Sequence, residues 1–134
     1  MINQEIIDTM IRTAKEARKN AHAPYSEKLV GACVLASDGT LYGGCNVENA
    51  SYGLSCCAER VAIYRAIADA KHDFDALAVV ADTNEPITPC GACCQVMAEF
   101  EIRDIIMANL KGDVQVIDIY DLAPCATGKC HEND

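Results

Sequence analysis

Ala76-Leu-Ala-Val-Val-Ala81 is the stretch whose reading decides the fold. Six residues run without a polar interruption, the pattern of a strand covered on both faces rather than on one. Downstream, Asn84-Glu-Pro-Ile-Thr-Pro89 breaks the chain, and a helix is predicted from about Gly91 to Phe100 with Val96, Met97 and Phe100 inward. Ile105 to Leu110 and Val114 to Ile119 read as two further strands joined by Lys111-Gly-Asp113. Upstream, residues 57–70 are apolar nearly all round a helix, which marks it as the buried one. Residues 29–36 and Leu41 to Asn46 read as strands joined by a tight turn at Asp38-Gly39. Residues 3–20 form an amphipathic helix, capped by Asn3 and striped by Ile7, Met10, Ile11, Ala14 and Ala17, which His22-Ala-Pro24 ends. The order α-β-β-α-β-α-β-β predicts an α/β fold, a three-layer α-β-α sandwich around a five-stranded mixed sheet.

At 134 residues the chain is expected to be a single domain, residues 1–134, with a poorly ordered polar tail from Pro124 onward. Its apolar stretches are short and broken by charge, so no membrane span is expected, and its N-terminus lacks the pattern of an export signal. A cytoplasmic location is the resulting expectation. Twenty acidic residues against 11 basic ones give a formal net charge of −9. Such a surface repels phosphate backbones, so a small substrate of low charge is expected rather than a nucleic acid. Nine cysteines are an odd count, in a chain long enough to build its own core. In a reducing compartment, clustered cysteines are metal ligands or catalytic groups, and isolated ones are small buried hydrophobes.

Two segments carry the chemistry: Cys57-Ala-Glu-Arg60 and Pro89-Cys-Gly-Ala-Cys93. Both are read as opening helices, where unpaired N–H groups and the positive dipole end favour thiolates. Cys90 and Cys93 are three apart and share one helical face. With the two helices side by side, Cys57 supplies a third sulfur, and three protein ligands leave a tetrahedral zinc one open position for water. Glu59 then lies beside that water as a proton carrier, and Arg60 is placed to donate hydrogen bonds to the sulfurs. Taken alone, Cys-x-x-Cys also fits a redox site or a structural zinc site, and Glu59 and Arg60 also fit a solvated helix face. The joint pattern of Cys-Ala-Glu and Pro-Cys-x-x-Cys is the mark of zinc deaminases.

Over about residues 10–124 the sequence resembles the small homotetrameric cytidine deaminases. The matching stretches are Ala23-Pro-Tyr-Ser26, Val30-Gly-Ala32, Gly44-Cys-Asn-Val-Glu-Asn-Ala-Ser-Tyr-Gly53, Cys57-Ala-Glu-Arg60, Pro89-Cys-Gly-Ala-Cys93 with Gln95, and Leu122 with Pro124. The resemblance implies that Cys57, Cys90 and Cys93 ligate Zn2+ and that Glu59 shuttles protons. It also implies that Asn46 and Glu48 hold the ribose of a nucleoside, chiefly its 3′-hydroxyl, and that backbone at Ala58 and Gly91 lies against the base and the metal. Two polar side chains at i and i+2 do point the same way at a strand end, although Asn-Val-Glu-Asn reads equally as a turn. The implied reaction is hydrolytic deamination of cytidine or deoxycytidine to the uridine, with release of ammonia, in a homotetramer.

Three positions depart from the pattern. Lys28 and Thr127 stand where the family usually has phenylalanine, and Cys94 where it usually has arginine. The changes put the grip on the base in question more than the reaction, and a modified cytosine nucleoside such as blasticidin S is the alternative substrate. A non-catalytic protein with a closed zinc site is a rival from another class, with Cys56 or Cys94 as poorly placed fourth ligands. A thiol–disulfide enzyme using Cys90 and Cys93 is a third reading. Cys33 and Cys45 are expected in the core, and Cys125, Cys130 and His131 in a solvated tail.

Overall fold

The computed structural model describes residues 2–124. Helix α1 (Gln4–Arg18) begins where the Asn3 side chain accepts a hydrogen bond from the Ile6 N–H, and it buries Met10, Ile11 and Ala14. Strands β1 (Val30–Ala36) and β2 (Leu41–Cys45) form a hairpin, whose turn holds Gly39 at φ 95°, a conformation open to glycine without steric cost. A 3-10 turn, Tyr52–Leu54, precedes α2 (Ala58–Ala68). Then follow β3 (Phe74–Ala81), α3 (Gly91–Glu99), β4 (Asp104–Asn109), β5 (Val114–Asp118) and a short α4 (Ile119–Leu122).

The expected order is present, with the 3-10 turn and α4 added. Both are too short to leave a periodic signal, and α4 rests on its cap, where the Asp118 carboxylate accepts from the Tyr120 N–H. Of the residues expected inward on α3, Met97 is fully buried while Val96 and Phe100 are only partly so. Cys33 is a core residue as expected, and Cys45 is half-buried at the end of its strand. Cys125, Thr127, Cys130, His131 and the rest of the tail lie outside the described residues.

The strands form one sheet in the order β2-β1-β3-β4-β5. Only β3 and β4 run parallel, with α3 as the crossover between them; the other neighbours are antiparallel. Alternation along the strands divides the core in two. Ala32, Val34, Leu77, Val79 and Ile105 face α2, α3 and α4. Cys33, Leu35, Ala78, Val80 and Ile106 face α1 on the opposite side. The result is the three-layer sandwich, with β3 buried on both faces.

Register positions the site. Val30 pairs with Ala81, Gly31 with Cys45, and Ala81 with Asn109. The start of β1 and the ends of β2, β3 and β4 therefore meet at one end of the sheet. Helix α2 lies directly on β2 there, because Gly44 has no side chain: a Cβ would come within 2.5 Å of both the Ala58 carbonyl oxygen and the Ala62 nitrogen.

Candidate active site

Cys57 and Cys90 are the N-caps of α2 and α3, yet neither sulfur caps its own helix. They turn toward each other instead. The Sγ atoms of Cys57 and Cys90 are 3.8 Å apart and those of Cys90 and Cys93 are 3.4 Å apart, with all three within 4.8 Å of one another. Zinc–sulfur bonds of about 2.3 Å in a tetrahedral site space the sulfurs about 3.8 Å apart, so the set fits one zinc ion with a fourth corner free of protein. Among the described residues no other group of three or more Cys, His, Asp or Glu gathers this way. Cys93 is buried, Cys57 half-buried and Cys90 exposed, so the cluster opens to one side.

The electrostatics suit a cation. The Cys57 thiol is pulled down to about 5, first by a hydrogen bond from Cys93 and also by Arg60 and Cys90, against the effect of burial. Cys93 moves up, because it shares its proton with Cys57 and lies buried beside the Glu59 carboxylate. Arg60 Nη2 lies 3.5 Å from the Cys57 sulfur, and that sulfur holds the guanidinium still more firmly in its charged form. Arg60 Nε is buried with no hydrogen-bond partner. Three adjacent sulfurs can all ionise only when a positive ion lies among them.

Glu59, in the first turn of α2, is 4 % exposed. Burial pushes its carboxyl up to about 7, partly offset by its own backbone N–H and by the Cys93 thiol. A cavity of about 840 Å³ opens over this floor, and Lys28, Asn46, Glu48, Ala58, Glu59 and Arg60 are among its walls. Gly91 opens α3, but Ala92 rather than Gly91 lines the cavity, and a Cβ on Gly91 would meet nothing within 4 Å.

Asn46 and Glu48 reach the cavity wall from the end of β2, and both are already engaged. Asn46 Nδ2 donates to the Lys28 carbonyl at 2.8 Å, and its Oδ1 accepts from the Val30 N–H at 2.8 Å. Glu48 Oε1 accepts from the Tyr25 and Ser26 amides at 3.0 and 3.1 Å, while the Ser26 hydroxyl donates to Oε2 at 2.5 Å. The readings of this segment as a turn and as a polar wall thus coexist: the side chains fasten the loop before β1 and still face the cavity. Sequence reasoning gave Tyr25 and Ser26 no role here. Their partner lies more than twenty residues on, and only Pro-Tyr-Ser marked the spot.

Cys56 and Cys94 stay out of the cluster. Cys56 pairs its backbone with Val47, and burial raises its thiol. Cys94 is buried with its sulfur 3.8 Å from the Pro89 carbonyl oxygen, and burial raises it too.

Comparison with known proteins agrees with this geometry. Residues 4–109 match the family model described as the cytidine and deoxycytidylate deaminase zinc-binding region. A cytidine deaminase of Sporosarcina psychrophila is 47% identical over 125 residues, covering 92% of each chain. One from Halalkalibacterium halodurans is 49% identical over 119 residues, covering 87% of this chain and 90% of that one. The crystal structure of cytidine deaminase from Burkholderia pseudomallei superposes with a TM-score of 0.85 at 46% identity, covering 92% of this chain and 98% of that chain. With its three sulfurs at two adjoining helix starts and this match along most of its length, the chain belongs to the zinc-binding cytidine and deoxycytidylate deaminase family.

Proposed function

We propose that this chain deaminates cytidine and deoxycytidine by hydrolysis, giving the corresponding uridine and ammonia. The observation that carries the proposal is a buried carboxyl, Glu59, beside three sulfurs spaced for one zinc ion on the floor of a cavity of about 840 Å³. Cys57, Cys90 and Cys93 hold the ion. Zinc in such a site supplies Lewis acidity, which makes a water nucleophilic at neutral pH.

The chain's own groups do the rest. Glu59 takes the proton given up by the attacking water and delivers it to N3 of the cytosine ring as C4 is attacked. It then takes the remaining proton from the oxygen now bonded to C4 and delivers it to the exocyclic amine, which leaves as ammonia as the C4 carbonyl forms. Burial raises the Glu59 carboxyl, which makes it a better proton acceptor than an exposed carboxylate. Arg60 offsets part of the negative charge of the thiolates through its contact with Cys57. Asn46 and Glu48 take the ribose, and the backbone at Ala58 borders the ring. The assembly is a homotetramer, a reading supported by the family resemblance and by Tyr25 and Tyr52, which line the cavity and lie 62% and 90% exposed in the isolated chain.

The test mixes zinc-loaded protein with cytidine and follows the ultraviolet absorbance together with ammonia release. Glu59→Gln serves as the blank. The expected outcome is loss of cytidine absorbance at one zinc per chain, with the variant slower by about three orders of magnitude or more while keeping its metal. Full activity in the variant would remove Glu59 from the chemistry. Zinc at one per chain with no turnover of cytidine would overturn the substrate assignment, and blasticidin S would then be assayed in its place.

A further inference from the structure

The contacts around Glu48 settle how much of its carboxylate is left for a ligand. An ionised carboxylate offers about four lone-pair directions. Three are taken by one short loop: Tyr25 N–H and Ser26 N–H on Oε1, and the Ser26 hydroxyl on Oε2. These donors hold the Glu48 carboxyl below the usual carboxylate range, the Ser26 hydroxyl first among them. The Ser26 hydroxyl is fixed in turn, because its oxygen accepts the Lys28 N–H at 3.0 Å and its proton must point at Glu48. Glu27, between these two residues, adopts φ 61°, a left-handed backbone that non-glycine residues enter only at some cost. Past this bend the Lys28 N–H returns to the Ser26 hydroxyl oxygen.

We propose that Ser26 is a positioning residue for the substrate's sugar. Its hydroxyl, with the Tyr25 and Ser26 amides, occupies three acceptor directions of Glu48 and leaves one, on Oε2, facing the cavity. A carboxylate held this way has no proton to give, so it selects a ligand that donates, and a ribose hydroxyl does so. Ser26 touches no reacting atom. The inference rests on the proposed nucleoside reading, in which Glu48 meets the 3′-hydroxyl.

The experiment compares cytidine with 3′-deoxycytidine in the zinc-loaded wild type, Ser26→Ala and Ser26→Thr. Thermal melts of all three establish that each is folded. Ser26→Ala is expected to raise KM for cytidine about tenfold with kcat within about twofold, the size of one lost charge-assisted hydrogen bond. KM for 3′-deoxycytidine should move by less than about twofold in the same variant, because the contact in question is already missing. Ser26→Thr, which keeps the hydroxyl, should restore the KM for cytidine. Equal losses on the two substrates, or no loss on either, would overturn the positioning role while leaving deamination intact. A wild type inactive on cytidine would instead overturn the underlying reading, and this inference with it. Should Ser26→Ala melt early, the Ser26→Thr comparison decides: a threonine variant that is folded yet raises KM for cytidine alone as much as alanine does refutes the role of the hydroxyl.

Discussion

Lys28 lines the cavity at a position where the family resemblance implies an aromatic ring. A ring face stacks on a pyrimidine, while a flexible cation spends its contact on water. Lys28→Phe is therefore expected to lower KM for cytidine about fivefold, the scale of one stacking contact, in steady-state kinetics. An unchanged or higher KM would mean that the base does not meet this wall. Gly91 supports a second test, since a Cβ there meets no protein atom within 4 Å. Gly91→Ala is expected to leave Tm within about 2 °C of wild type, as an unstrained helix-start substitution does. If the backbone at Gly91 lies against the substrate, KM rises in that variant. At this scale the gathering of the three sulfurs and the burial of Glu59 beside them were legible only from the joint pattern of Cys57-Ala-Glu59 and Pro89-Cys-x-x-Cys93, since either half alone has other uses. The double engagement of Asn46 and Glu48 was not, since it depends on a loop that only the fold brings beside them.

Among the elements, α2 matters most, because it carries Cys57, Glu59 and Arg60 at one end. Its closeness to β2 depends on Gly44, where a methyl would come within 2.5 Å of helix backbone. Gly44→Ala is expected to push α2 away, lowering Tm by about 5 °C or more and weakening zinc retention. Gly53→Ala is the matching control, since its Cβ meets nothing within 4 Å, and its melt should follow wild type. If both variants melt alike, the contact is not limiting. The strands and long helices were readable from apolar patterning, with ends shifted by only a residue or two. The 3-10 turn at Tyr52–Leu54 and the four-residue α4 escaped it, because the first rests on local backbone hydrogen bonds and the second on its Asp118 cap rather than on a repeated face.

At the scale of the molecule, the sheet separates two cores, and the sulfur cluster lies only on the side of α2 and α3. A zinc ion there ties together two helix starts more than thirty residues apart in sequence. Removing it with a chelator is expected to lower Tm and to speed amide exchange over α3 (Gly91–Glu99), leaving α1 (Gln4–Arg18) as protected as before. Uniform loss of protection across both helices would show that the metal holds the whole fold rather than one layer. The three-layer plan was legible from the element order. Which strand pair runs parallel was not, because that follows from how α3 crosses over, and no residue pattern records it.

Every segment bordering the cavity leaves the same end of the sheet, next to the Val30–Ala81 and Ala81–Asn109 pairs. This arrangement bears on inheritance. Side chains on those loops can be exchanged over generations without any strand changing register, so the preferred nucleoside can drift between descendants while the reaction passes down intact.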